Sequence, residues 1–146
     1  MLRGSARAKV DEKGRLKLPS VFRAEIEPNF GREFFVTSLR GESVRIYPMD
    51  VWTAIEEKLS RTSSLRPSVV RFKNFVNYYG QVAALDNQGR VLLHTRLREK
   101  TGARNEVIVL GQQSYLEVWN LAAFEEMLRS DPLTDVDLEA LAETGI

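Results

Sequence analysis

Apolar and polar residues alternate in short runs along the chain, broken by turn-forming Gly, Pro, Asp and Asn, with helical periodicity between the runs. Ala6, Ala8 and Val10 fall on one side of an extended segment and Arg7, Lys9 and Asp11 on the other, the period-two pattern of a half-buried strand. The turn that follows contains Gly14, which supplies a positive φ without a Cβ clash. Leu16 and Leu18 then alternate with Arg15 and Lys17 in a second strand. Pro19 stops that strand because it has no N–H for a sheet ladder, and Ser20 is positioned to cap a short helix reaching Arg23. Residues 33–39 and 44–47 read as another hairpin around Gly41, and 49–59 as a helix with Val51, Trp52, Ile55 and Leu59 on one stripe.

The same order then recurs. Val10, Asp11, Gly14, Arg15, Leu16 and Leu18 align with Leu85, Asp86, Gly89, Arg90, Val91 and Leu93. Phe22 and Arg23 fall on Leu97 and Arg98, residues 44–47 on 116–119, and Trp52 on Phe124. Two Asp-x-x-Gly-Arg runs alone are a weak signal, whereas an ordered set of motif, spacer, strand and helix is a strong one. Between the copies, 65–79 opens on Pro67 and carries Val69, Phe72, Phe75 and Val76 as an apolar stripe, which predicts a connecting helix. Neither half has much core of its own, so the two are expected to pack together. The predicted organisation is a first module over 5–51, connecting helices over 52–79, a second module over 81–124 and an acidic segment over 125–146. From residue 133 that segment can form an amphipathic helix with Leu138 and Leu141 on one face. The fold class is α+β and β-rich.

The net charge of +1 conceals a polarised distribution. Up to Arg23 the cations are Arg3, Arg7, Lys9, Lys13, Arg15, Lys17 and Arg23, against Asp11 and Glu12 only. From residue 125 onward the charges are Glu125, Glu126, Asp131, Asp135, Asp137, Glu139 and Glu143 against Arg129 alone. Such asymmetry points to an anionic partner at the start, and to a solvated or docking tail at the end. Pairing apolar with apolar across the first hairpin projects Arg7, Lys9, Arg15 and Lys17 from its outer side, with Lys13 at the tip. A two-stranded ribbon is narrow enough for the major groove of B-DNA. Lys and Arg neutralise phosphates there, and Arg also grips guanine in a bidentate way. Asp11 and Asp86 are expected to accept turn N–H groups, so Asp11, Gly14, Asp86 and Gly89 shape the turns. Asp11 then aims Arg15 instead of consuming it.

In the second copy Arg7 becomes Val82, Lys9 becomes Ala84, Lys13 becomes Gln88 and Lys17 becomes Leu92, leaving Arg90 on that face. A face that has turned apolar is expected to be buried, against the other half or against a neighbouring subunit. Another basic stretch, Arg61, Arg66, Arg71 and Lys73, lies on the connector. Trp52, Phe72, Phe75, Tyr78, Tyr79 and Trp119 have helical or strand spacing and read as core.

The paired Asp-x-x-Gly-Arg motifs, Leu18-Pro19 followed by Arg23, Ile46-Tyr47-Pro48 with Trp52, the opening Met1, Arg3 and Gly4, and Lys58-Leu59-Ser60 resemble the MraZ family of bacterial transcriptional regulators. Each module is similar to a SpoVT-AbrB domain. The resemblance implies a swapped-hairpin (AbrB-like) β barrel from two tandem repeats with flanking helices, and a homo-oligomer assembled as a ring. It implies binding to direct repeats in the promoter of a cell-division and cell-wall operon, usually as a repressor, at the nucleoid in the cytoplasm. It assigns DNA contact to Arg15 and Arg90, and by likeness to related domains to Arg23. With the basic face, the expected DNA-binding residues are Arg7, Lys9, Lys13, Arg15, Lys17, Arg23, Arg90 and Arg98. The second copy departs at His94, where the first has Pro19, leaving open whether Arg98 is placed as Arg23 is.

There is no cysteine, and the only histidine is His94, so thiolate chemistry is excluded and no catalytic constellation can be assembled. No enzyme, metal, cofactor or small-molecule substrate is expected. Residues 1–10 lack a signal peptide's apolar core, and no run approaches the ~18 apolar residues of a membrane span. The expected partners are double-stranded DNA and further copies of this chain. The alternative is a protein-interaction or oligomeric scaffold module whose basic hairpin docks acidic segments.

Overall fold

The computed structural model describes residues 1–146. The chain runs β1 (Ser5–Val10), β2 (Arg15–Lys17), α1 (Ser20–Phe30), β3 (Glu33–Thr37), β4 (Val44–Pro48), α2 (Met49–Ser60) and α3 (Pro67–Tyr78). It continues through β5 (Gln81–Ala84), β6 (Arg90–Leu92), α4 (Thr95–Thr101), β7 (Asn105–Gly111), β8 (Leu116–Asn120), α5 (Leu121–Ser130) and α6 (Asp135–Ala142). All eight strands join one antiparallel sheet in the order β5-β3-β4-β8-β7-β1-β2-β6. Its two edges meet at the second turn, where the Asp86 N–H donates to the Arg90 carbonyl at 3.0 Å, so the sheet curls into a nearly closed barrel.

The two repeats are interleaved. β1 pairs with β7 along its whole length, from Ser5↔Leu110 to Val10↔Asn105, and touches β2 only at Val10↔Leu16. β5 pairs likewise with β3 of the other repeat. An internal two-fold relates the halves, passing through Leu16↔Val91 between β2 and β6 and Arg45↔Glu117 between β4 and β8. The expected swapped-hairpin architecture is therefore present. The free two-stranded ribbon is corrected: β1 and β2 diverge past the turn, because each finds a longer ladder in the other repeat.

One core of buried side chains draws on both halves. It includes Leu16, Leu18, Phe22 and Ile26 from the first and Val91, Leu93, Leu97 and Val109 from the second. A smaller cluster holds Phe35, Tyr47, Trp52 and Val76, with the Phe35 and Trp52 rings stacked 4.6 Å apart. The connector α3 is anchored there, since the Thr37 hydroxyl donates to the Val76 carbonyl at 2.7 Å. Tyr78, expected in the core, is exposed.

The helices after each hairpin start differently. Pro19, not Ser20, is the N-cap of α1, with no side-chain bond, and the Phe22 and Arg23 amides both donate to its carbonyl at 3.0 Å. Proline's fixed φ supplies the entry angle that a serine cap would have given. α1 also continues past Arg23 to Phe30, because Phe22 and Ile26, one turn apart, both bury against the core. At α4 the His94 side chain is the cap: its Nδ1 accepts from the Leu97 amide at 3.4 Å, and its Nε2 lies 2.7 Å from the Tyr79 carbonyl. Leu97 is then buried as Phe22 is.

The acidic segment does form a helix. α6 begins on a capping box between Thr134 and Asp137, and the Thr134 amide holds the Asp137 carboxyl below its usual range. Every residue of α6 is exposed, Leu138 and Leu141 included. No helix is long and apolar enough to cross a membrane.

Candidate nucleic-acid interface

The two Asp-x-x-Gly-Arg turns are built alike. Asp11 Oδ1 accepts from the Lys13 amide at 3.0 Å and the Arg15 amide at 2.9 Å, and its Oδ2 accepts from Arg15 Nε at 3.0 Å. Asp86 repeats this with the Gln88 and Arg90 amides, both at 2.9 Å, and with Arg90 Nε at 2.8 Å. The carbonyls of Asp11 and Asp86 accept from Gly14 and Gly89, whose φ of +86° and +76° closes each turn. Both carboxyls lie below their usual range, chiefly because the Arg15 or Arg90 amide donates to the ionised form. Asp11 thus organises its turn and orients Arg15, and Asp86, expected only to shape its turn, orients Arg90 as well. Only Nε is engaged, so the two terminal nitrogens of Arg15 and Arg90 have no protein acceptor.

Strand alternation sorts the remaining cations. Ala6 and Ala8 pack toward the core while Arg7 and Lys9 are exposed, and Leu16 and Leu18 are buried while Lys17 is exposed. Because β2 lies beside β6, Lys17 stands opposite Arg90 and Arg15 opposite Leu92. Lys9, Arg15, Lys17 and Arg90 line one open groove, with Asp11 and Glu106 at its side. An adjoining groove is lined by Arg7, Lys9, Lys17 and Arg23. The basic surface is therefore assembled from both repeats, and Arg90 belongs to it. Lys13 projects at the exposed tip outside these grooves, and Arg98 lies apart, folded against Gly14.

The second copy's outer face is not buried against the first half. Val82 is 61% exposed and Leu92 49%, and Ala84 is open as well. Their positions on β5 and β6 are the internal-symmetry counterparts of Arg7, Lys17 and Lys9. One barrel surface thus carries cations on the first-repeat side and bare apolar groups on the other.

Sequence reasoning overlooked Arg32. Its Nη2 donates to both the Leu85 and Asp86 carbonyls at 3.0 Å and its Nη1 to Glu27 Oε1 at 3.4 Å, which ties α1 to the second turn. Nothing local marks Arg32 for this role, since its partners lie in the other repeat. No group of three or more His, Asp or Glu side chains converges to hold a metal ion.

Residues 1–75 and 81–144 match the family described as "MraZ protein, putative antitoxin-like". The chain is similar to the transcriptional regulator MraZ of Acidobacterium capsulatum, 45% identical over 146 residues and covering 100% of both chains. It is also similar to that of Koribacter versatilis, 42% identical over 147 residues and again 100% of both. The regulator of that name from Nitrosomonas eutropha is 34% identical over 125 residues, 86% of this chain and 84% of its own. These relatives are named as regulators of transcription, not as enzymes. With both repeats matched and relatives similar from end to end, the chain belongs to the MraZ family.

Proposed function

We propose that this protein is a sequence-specific DNA-binding regulator of transcription that represses its own cell-division and cell-wall operon. The observation that carries the reading is the groove shared by Lys9, Arg15, Lys17 and Arg90, in which the terminal nitrogens of Arg15 have no protein acceptor. Phosphate neutralisation by the lysines gives affinity, and an arginine held at Nε offers its outer fork to a guanine edge. Arg7, Lys13 and Arg23 extend the contact along the duplex.

One such surface makes few phosphate contacts, so tight binding requires several copies acting together on repeated sites. The exposed Val82, Ala84 and Leu92 favour assembly, because an apolar strip on an otherwise charged face is most simply covered by a further copy of the chain. A ring on promoter direct repeats, at the nucleoid, meets both requirements. The test is a footprint of the purified protein on the DNA upstream of its own gene, beside the Arg15→Ala variant. A protected set of direct repeats that disappears with the variant is expected, and unchanged protection overturns the reading.

A scaffold reading draws on one observation, the unpartnered acidic α6. If acidic segments are the real ligand of the basic groove, removing residues 131–146 tightens binding to any polyanion, and promoter DNA competes no better than unrelated DNA.

A further inference from the structure

Gly14 and Gly89 are buried, although Glu12, Lys13, Asn87 and Gln88 around them are exposed. What covers each glycine is an arginine from the opposite repeat. A methyl group at Gly14 would lie 2.6 Å from Arg98 Nε, 2.8 Å from its Cζ and 2.5 Å from the Leu93 carbonyl oxygen. At Gly89 it would lie 2.5 Å from an Arg23 terminal nitrogen and 2.7 Å from its Cζ. The backbone seals the same crossing: the Leu93 amide donates to the Gly14 carbonyl at 2.8 Å, and the Leu18 amide to the Gly89 carbonyl at 2.9 Å.

We propose that Arg98 and Arg23 form a crossed latch, each seating the other repeat's Asp-x-x-Gly-Arg turn, and that Arg98 thereby positions Arg15 for DNA. The inference rests on the DNA-binding reading above and assigns Arg98 a role within it other than direct contact. Arg98 is equipped to hold still. Its Nε donates to the Leu93 carbonyl at 2.8 Å, and a terminal nitrogen donates to Thr95 Oγ1 at 3.2 Å. The guanidinium is therefore held against the one residue of the turn that has no side chain. Arg15, one residue further on, takes its direction from the same turn, through Asp11.

The two latches differ in their support. Around the second turn, Arg23 Nε bonds Glu27 at 3.0 Å, and Arg32 reaches from Glu27 to the Leu85 and Asp86 carbonyls. Around the first turn Arg98 acts without such a network. The turn that presents the most charge to DNA thus depends on a single arginine from the repeat that has lost most of its own. Both latch arginines lie at the same offset after their motif arginine, and the motif arginine of each repeat is aimed by the turn its sister repeat holds.

The test compares full-length protein with Arg15→Ala, Arg98→Ala and Arg98→Lys on the same promoter DNA across a salt series. Arg98→Ala is expected to weaken binding on the order of tenfold, the scale on which loss of an outer-shell residue acts at metal sites, with the salt slope unchanged because no phosphate contact is removed. Arg98→Lys stays weak, since an ammonium keeps the charge but cannot reproduce the fork that bonds Leu93 and Thr95 while covering Gly14. Amide exchange accelerates at Arg15 and Leu93 and not at Arg90 in both Arg98 variants, a readout that also serves if the alanine variant folds poorly. A salt slope lower by about one, or full rescue by lysine, identifies a direct phosphate contact and overturns the latch. Unaltered exchange at Arg15 overturns it as well. Retention of affinity by Arg15→Ala instead overturns the DNA reading itself.

Discussion

Leu92 on β6 stands directly opposite Arg15 on β2, so the strongest candidate DNA contact borders an exposed apolar side chain. In the proposed assembly Leu92, Val82 and Ala84 lie under a neighbouring copy, since the chain's own fold leaves them open. Val82→Arg with Leu92→Lys restores the cations of the first repeat at the matching positions. The expected result by light scattering is a fall in molar mass toward the single chain, with the circular dichroism spectrum preserved. An unchanged mass would place the contact between copies elsewhere.

The two motif arginines are expected to rank unequally. Arg15→Ala should abolish binding to promoter DNA in a gel-shift titration, because Arg15 sits with Lys9 and Lys17 in the basic groove and offers its free terminal nitrogens there. Arg90→Ala should cause a limited loss, because its flank carries Leu92 and Gln88 where the first repeat carries Lys17 and Lys13. The reverse order would transfer the reading function to the second repeat.

Acid should loosen both turns. Asp11 and Asp86 titrate below the ordinary carboxylate value in the folded protein, so their contribution to stability is complete above the unfolded pKa of about 3.9 and disappears as pH falls through the lower folded values. Asp11→Asn keeps the shape and removes the charge. Its deficit in urea midpoint relative to the parent should be full at about pH 6 and close toward about pH 2. A deficit constant across that range would mean that the charge of Asp11 contributes nothing.

The centre of the barrel offers a mechanical test. Leu16 is fully buried and pairs with Val91 on the internal two-fold. Leu16→Ala should cost about 2–5 kcal/mol, and the loss should extend to both halves because each completes the other. Fluorescence of Trp52 in the first repeat and Trp119 in the second, observed one at a time with the other replaced by Phe, should report one shared unfolding transition. Two separated midpoints would mean the repeats unfold independently.

Much of this was readable in the residues, and the gaps share a cause. Alternation located β1 and β2, sorted Arg7 and Lys9 from Ala6 and Ala8, and the recurrence of the motif implied the internal symmetry. Alternation does not name a strand's partner, however. The pattern of β1 is the same whether it lies on β2 or on β7, and only the longer ladder with β7 decides. Ser20 was a reasonable cap by residue type, but Pro19 already fixes the entry angle. Loss of charge at Val82 and Leu92 reads in the sequence as burial, whereas both side chains are exposed in this chain, because alternation reports a residue's face and not what lies over it. Arg32, Arg23 and Arg98 act across the repeat boundary, where spacing along the chain says nothing about proximity.

The pairing of Ser5 with Leu110 also sets an order of events during synthesis. The basic strand β1 is made before β7 and has no ladder until residues 105–111 emerge, so it must wait largely unpaired while the intervening segment is made. Loop closure over such a span makes the fold slow to start. Its alternating, lysine- and arginine-bearing sequence is well suited to that wait, because like charges discourage β1 from pairing with β1 of another nascent chain. The cations of the proposed DNA surface would then have an earlier duty, keeping an unfinished molecule apart from its siblings.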